Sequence, residues 1–145
     1  MTVQRILNSQ QNITAAYIAP DAVITDVLHS LAFKDVGALV VSSDGSRVEG
    51  IISERDIVRS LRTLGPDLLS KRVRDLMTAD VITCVPEDRA AGIMALMVSK
   101  HVRHLPIVKD GNLVGMVSIR DLLKLRLDEV QSEAEAMRSY IAGSA

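Results

Sequence analysis

The 145-residue sequence has no tryptophan, one phenylalanine and two tyrosines. Single-stranded nucleic acid is held largely by flat side chains on which bases stack, so this scarcity argues against that mode of binding. Only one cysteine, Cys84, is present, which excludes an internal disulfide. It lies in the apolar-rich run Val81-Ile82-Thr83-Cys84-Val85, where a small buried thiol is expected rather than a reactive nucleophile. An excess of one charge is lacking as well: 17 Lys and Arg stand against 18 Asp and Glu. No field therefore draws the whole molecule to nucleic acid or to an acidic membrane. No uncharged apolar run approaches the ~18 residues of a membrane span, and no secretory signal is read. A soluble cytoplasmic protein is the expectation.

What the sequence does have is a branched aliphatic core composition and one phrase used twice. Gly50-Ile51-Ile52-Ser53-Glu54-Arg55-Asp56-Ile57-Val58 returns as Gly115-Met116-Val117-Ser118-Ile119-Arg120-Asp121-Leu122-Leu123. Both copies read Gly, two apolar residues, Ser, any residue, Arg, Asp, two apolar residues. Setting Pro20 on Pro86 also puts Lys34 on Lys100, Val36 on Val102, Leu39 on Leu105 and Asp44-Gly45 on Asp110-Gly111. The chain is thus an internal repeat, and every other segment is read against it.

A short amphipathic helix is expected over 3–10, within a lead-in of residues 1–12. The first repeat, 13–64, begins with an extended segment ending before Pro20. A helix over 22–35 follows, with Asp21 at its start and Val23, Val27, Leu28 and Leu31 on one face. Strands over 37–41 and 48–52 flank the Asp44-Gly45 turn, and Ser53 caps a helix that stops at Gly65-Pro66. Residues 65–77 read as the linker. In the second repeat, 78–126, the same order predicts strands over 81–85, 104–108 and 113–117, a helix over 88–100 and a final helix from Arg120. The fold class is α+β: two tandem βαββα repeats packed together about a pseudo-two-fold axis, since neither buries both faces of its sheet alone. The extension, 127–145, continues the last helix. Leu123, Leu127, Val130, Ala134, Met137 and Ile141 follow a four-three spacing suited to a seam with another helix, either within the domain or in a second subunit.

The repeated phrase admits two chemistries. A Ser three residues before an acid at a helix start is a variant of the capping box, which satisfies free backbone N–H groups. Capping does not require the Arg that both copies insert before the Asp. Functionally, a helix N-terminus offers N–H groups and partial positive charge to a phosphate, and Arg adds a charged fork. A carboxylate accepts both hydrogens of a ribose cis-diol. Phosphate and ribose together mean a nucleotide, with Ser53, Arg55, Asp56, Ser118, Arg120 and Asp121 beside it.

At these residues the sequence resembles the CBS-domain pair, the regulatory module named after cystathionine beta-synthase, over about residues 12–126. The resemblance implies two adenine-nucleotide clefts between the repeats, with the ribose at Asp56 and Asp121. Lys100-His101-Val102-Arg103-His104-Leu105-Pro106 is similar to the family's second-strand motif, which implies that Val102, Arg103, His104 and Pro106 line one cleft. Their counterparts Val36, Gly37 and Ala38 would do the same. Thr14, Ile18, Thr78, Val81 and Ile82 match the segments ahead of each first strand and would complete the base pockets. One cleft can draw its base pocket and its ribose Asp from different halves. The first repeat departs from the motif, with Val40 where the second has Pro106 and Gly37-Ala38 where it has Arg103-His104, so the two clefts are expected to differ. Of the basic cluster, Arg103 and His104 are assigned to ligand and Lys100 to solvent.

The leading expectation is a regulatory module that senses energy or redox state by binding AMP first, then NAD or ATP, forms a homodimer, and signals to a downstream protein target. The alternative is a ligand-free structural or protein-interaction module acting through its C-terminal helix. No Gly-x-Gly-x-x-Gly, P-loop lysine, nucleophile elbow or metal-ligand spacing supports an enzyme or a metal site. His29 has no partner acid or Cys nearby and reads as an ordinary surface residue.

Overall fold

A computed structural model describes residues 1–10 and 15–143. The chain runs α1 (Val3–Ser9), β1 (Tyr17–Ile18), α2 (Ile24–Lys34), β2 (Ala38–Val41), β3 (Gly50–Ser53) and α3 (Glu54–Leu64). A 3-10 helix (Gly65–Ser70) and α4 (Val73–Leu76) follow, then α5 (Ala90–Lys100), β4 (His104–Lys109), β5 (Asn112–Ser118) and α6 (Ile119–Gly143). One sheet has the order β1-β2-β3, with β1 and β2 parallel and β2 and β3 antiparallel. The other is the antiparallel pair β4-β5. This is the mixed helix-and-sheet class that the pattern predicts.

The repeat extends to individual backbone bonds. Asp35 and His101 end α2 and α5 in the left-handed conformation, at φ 51° and 55°. Val36 N–H then closes on Leu31 O at 3.2 Å, and Val102 N–H on Met97 O at 3.0 Å. At the next junction, Glu54 N–H donates to Gly37 O at 3.0 Å and Ile119 N–H to Arg103 O at 2.9 Å.

The sequence predicts a strand over 81–85, but only Cys84 pairs there, in a single parallel bridge with Ile107. Pro106 explains the loss. In the first repeat, Val40 N–H donates to Ala16 O at 3.0 Å and Ser42 N–H to Ile18 O at 2.9 Å. In the second, Val108 N–H donates to Cys84 O at 2.9 Å, but the counterpart of Val40 is Pro106, which has no N–H. One rung of the ladder is removed, and the segment stays irregular. Helix α2 starts later than Asp21 suggests, because Val23 is held extended in an antiparallel bridge with Arg72, closed by Ile24 N–H on Lys71 O at 3.0 Å and Val73 N–H on Ala22 O at 2.8 Å.

Each repeat carries its own core. In the first, Ile24, Val27, Leu39, Val41 and Ile52 are fully buried together; in the second, Met97, Leu105, Ile107, Val117 and Leu122 are. Full burial of such a side chain contributes about 1.5–3 kcal/mol. Residues 65–77, read as a linker, insert Leu68 and Val73 into the first core. They also bond to residues 20–24: Val73 N–H to Ala22 O at 2.8 Å and Arg74 N–H to Pro20 O at 3.0 Å. Helix α1 does the corresponding thing for the second core. It buries Val3, Ile6 and Leu7 there, with Val3 N–H on Asp88 O at 2.9 Å and Gln4 N–H on Pro86 O at 2.8 Å. The segment ahead of each repeat's first strand therefore packs on the other repeat, which interlocks the two halves.

Helix α6 is 25 residues long, about 37 Å. Beyond Leu125, which still packs on the second core, it leaves the core: Leu127 and Met137 are 69% and 67% exposed. No helix among the described residues is long and apolar enough to cross a membrane.

Candidate functional site

Ser53 and Asp56 form the reciprocal cap in full. Asp56 Oδ2 accepts from Ser53 N–H at 2.8 Å and from its Oγ at 2.9 Å, while Asp56 N–H donates to Ser53 Oγ at 3.3 Å. Ser118 and Asp121 repeat this at 2.8, 2.8 and 3.1 Å. The structural role is real, but it uses one carboxylate oxygen. Among the described residues, no hydrogen bond engages Oδ1 of either Asp. Each carboxylate is thus held rigidly by one oxygen and presents the other at a helix N-terminus.

Asp56 lies in a cleft of about 370 Å³ whose wall comes from both repeats, at the lower end of the range for small-ligand sites. The first repeat supplies Gly37, Ile51 and the start of α3 through Arg59. The second supplies Thr78 and Asp80 to Ile82, together with Lys100 to Leu105. Thr78 is fixed by pairing with Ile51 through mutual bonds of 3.0 and 2.9 Å. Arg55 reaches across the junction, its Nη1 donating to His101 O at 3.4 Å. Val81, Ile82 and Val102 add partly exposed apolar side chains to the lining, and Leu105, buried in the second core, lies behind them.

His104 is the partly buried titratable group of this wall. Burial holds its imidazole below the ordinary value, opposed by the nearby carboxylates of Asp121 and Glu54 and assisted by Arg103. A neutral ring has one nitrogen that donates and one that accepts. His104 is also cross-strand from Ser118, the cap residue of α6.

Of the residues singled out in the sequence, Gly37, Ser53, Arg55, Asp56, Thr78, Val81, Ile82, Val102, Arg103 and His104 come together in this one cleft. Ser118, Arg120 and Asp121 do not line it; they stand at the corresponding start of α6. Ile18, Ala38 and Pro106 are buried in strand positions, Val36 is half-buried just ahead of β2, and none of the four lines the cleft. Thr14 lies outside the described residues. Ile51, Glu54, Arg59, Asp80, Lys100, His101 and Leu105 line the cleft without having been anticipated there, and Lys100, assigned to solvent, stands on its rim. The signal for Arg59 was available: it follows Arg55 by four residues on one helix face. Cys84 is buried, and burial pushes its thiol up to about 12. No group of three or more metal-ligating side chains occurs among the described residues.

The family model for the CBS domain matches twice, at residues 12–63 and 73–128. The chain is 36% identical over 127 residues to the mitochondrial CBS domain-containing protein CBSX3 of Arabidopsis thaliana. That match covers 85% of this chain and spans 62% of the relative's length. Among solved structures, a CBS-domain containing protein from Agrobacterium tumefaciens superposes with a TM-score of 0.82 at 29% identity, covering 87% of this chain and 99% of that one. A CBS domain protein from Pyrobaculum aerophilum, complexed with AMP, gives a TM-score of 0.71 at 25% identity over 83% of this chain and 89% of its own. The chain belongs to the CBS-domain family, as a tandem pair.

Proposed function

We propose that this protein is a regulatory, non-catalytic module that binds an adenine nucleotide in the cleft between its repeats. One observation carries the reading. Asp56 is immobilised through Oδ2 with Oδ1 unengaged, next to Arg55 and the N–H groups that open α3. Adenine packs against Val81, Ile82 and Val102, the ribose diol donates to Asp56, and the phosphate meets the helix start and Arg55. The AMP complex of the Pyrobaculum aerophilum protein supports an adenylate, and AMP is the first candidate, ahead of NAD and ATP. A second nucleotide site lies at Ser118, Arg120 and Asp121, at the start of α6, facing the first repeat's Gly37-Ala38 segment. Lacking counterparts of Arg103 and His104, it binds phosphate more weakly.

Ligand binding shifts the relative setting of the repeats, and a homodimer passes that change to a protein target as a readout of energy or redox state. Mass spectrometry of small molecules released from undialysed protein, with thermal shift on added AMP, tests the ligand. Binding to the native state alone stabilises it by about 2.7 kcal/mol at 100-fold saturation. Absence of both released adenylate and thermal shift rejects the reading. The exposed apolar face of α6, with Leu127 and Met137, favours a second reading: an interaction module indifferent to nucleotides. It predicts that Leu127→Ala and Met137→Ala abolish partner capture, whereas Asp56→Asn leaves it unchanged.

A further inference from the structure

The segments that lead into the two repeats are held by matching bonds. Ile24 N–H donates to Lys71 O at 3.0 Å, and Ala90 N–H to Met1 O at 2.9 Å. Val73 N–H reaches Ala22 O at 2.8 Å, and Val3 N–H reaches Asp88 O at 2.9 Å. Met1 is thus the counterpart of Lys71, as Ala90 is of Ile24. The 3-10 helix Gly65–Ser70, just ahead of Lys71, has no counterpart among the described residues. It lies against both α2 and α3, with Thr25 Oγ1 donating to Leu69 O at 3.4 Å. Its Leu68 is buried in one cluster with Ile24 and Ile57, against which Leu64 packs.

In the second repeat the same place is an open groove of about 680 Å³ between α5 and α6. Ala90, Ala91, Leu122 and Glu129 stand where Ile24, Thr25, Ile57 and Leu64 stand in the first repeat, and all four line it. Met94, Val98 and Leu125 make the rest of the lining largely apolar. The rim differs from that of the first repeat in charge. Arg89 and Arg126 replace Val23 and Leu61, and Arg5 Nη1 donates to Met1 Sδ at 3.1 Å beside them. Glu129, the one carboxylate of the lining, is paired with Arg126 at 3.1 Å. An occupant that matches this rim carries carboxylates as well as an apolar side chain. The first repeat shows the shape that fits: a single helical turn, Asp67 followed by the buried Leu68.

We propose that the groove between α5 and α6 docks a short helical turn of a partner protein, with one leucine seated as Leu68 is and carboxylates flanking it. The inference rests on the reading of a protein target and names the segment which that target presents. It holds whichever nucleotide is bound. Leu122 follows Asp121 in the first turn of α6, so docking bears on the helix whose start holds the second nucleotide site.

The test is two-dimensional NMR of the isotope-labelled full chain, titrated with the end-capped peptide Glu-Gly-Pro-Asp-Leu-Leu-Glu-Glu. A second peptide with both leucines replaced by alanine is the control. Expected are saturable shifts confined to α5 and the first turns of α6, and binding weaker by about tenfold or more for the alanine peptide, since each buried leucine is worth that much. Arg89→Glu should weaken binding roughly threefold, as the loss of an exposed ion pair does. Ala91→Trp fills the groove from an exposed position and should abolish the shifts. Thermal denaturation of each variant shows that it folds, and AMP titration of the same samples tests the nucleotide reading separately. No shifts at millimolar peptide, or equal shifts with the alanine peptide, overturn the proposal. Sedimentation supplies the remaining arm: a wild-type dimer that Ala91→Trp converts to monomer assigns the groove to a second copy of this chain and overturns it as well.

Discussion

The imidazole of His104 lies against Gly37 across the junction between the repeats: a β-carbon on Gly37 would stand 3.3 Å from both Cε1 and Nε2 of the ring. The departure of the first repeat from the motif of the second is therefore a fit. Where the second repeat has Arg103, the first has a residue without a side chain, and the space admits His104.

Gly37→Ala forces the ring to give by a few tenths of an ångström, and Gly37→Val displaces it. We expect Gly37→Val to cost about 1–3 kcal/mol of stability, as over-packing does, and to weaken nucleotide binding several-fold more than Gly37→Ala. Chemical denaturation and titration of both variants check this.

Gly50, the first residue of the repeated phrase, is required for a different reason. A β-carbon there would meet Met77 Sδ at 2.7 Å and Thr78 O at 3.0 Å. Strand β3 must approach the backbone of Thr78 closely to bond it, and Thr78 lines the cleft. Gly50→Ala is expected to lower stability by about 1–3 kcal/mol and nucleotide affinity with it, measured by the same two methods.

The pH dependence of stability follows from His104. Its folded value lies below 6.5 because burial disfavours the charged ring. As pH falls, the unfolded chain takes up the proton first, so the contribution is complete above 6.5 and is lost as pH falls through the folded value. The denaturation midpoint of wild type should drop between pH 7.5 and 5.5 by more than that of His104→Gln; equal drops contradict the assignment.

Cys84 sets the opposite limit. Its thiol, raised from 9.0 to about 12, keeps its proton in the native state, so its contribution is full below pH 9 and declines above it. At neutral pH the native thiol should resist an alkylating reagent and react only in denaturant. Labelling that is equally fast with and without denaturant contradicts its burial.

The segment 65–77 is structural. Leu68→Ala should cost about 2–5 kcal/mol, the range for a buried leucine, whereas substitution in a free linker would cost almost nothing. Ile6→Ala should destabilise the second core comparably, and thermal denaturation of the two variants measures both effects.

Much of this was legible in the sequence, because the repeat doubled each signal. The reciprocal caps of Ser53 with Asp56 and Ser118 with Asp121 are local, involve three-residue spacings and were readable directly. The same holds for the turns at Gly45 and Gly111, whose φ values are 79° and 78°. The place of α1 was not legible. Val3, Ile6 and Leu7 correspond to Val73, Leu76 and Met77, but at an offset of 70 rather than 65 or 66 and on three apolar positions alone. The lost strand at 81–85 required knowing which partner it would pair with, since the deficiency belongs to Pro106 and not to the segment itself. Lys100 and His101 escaped because their place on the cleft depends on the crossing of the repeats, which no local pattern encodes.

The most direct measurement is calorimetric titration of wild type and Asp56→Asn with AMP. The account predicts saturable binding by wild type and a loss of at least tenfold in the variant, because the amide nitrogen replaces one of two acceptor oxygens where the ribose diol must donate to the carboxylate. Undiminished binding by Asp56→Asn contradicts the site, and no binding by wild type contradicts the function.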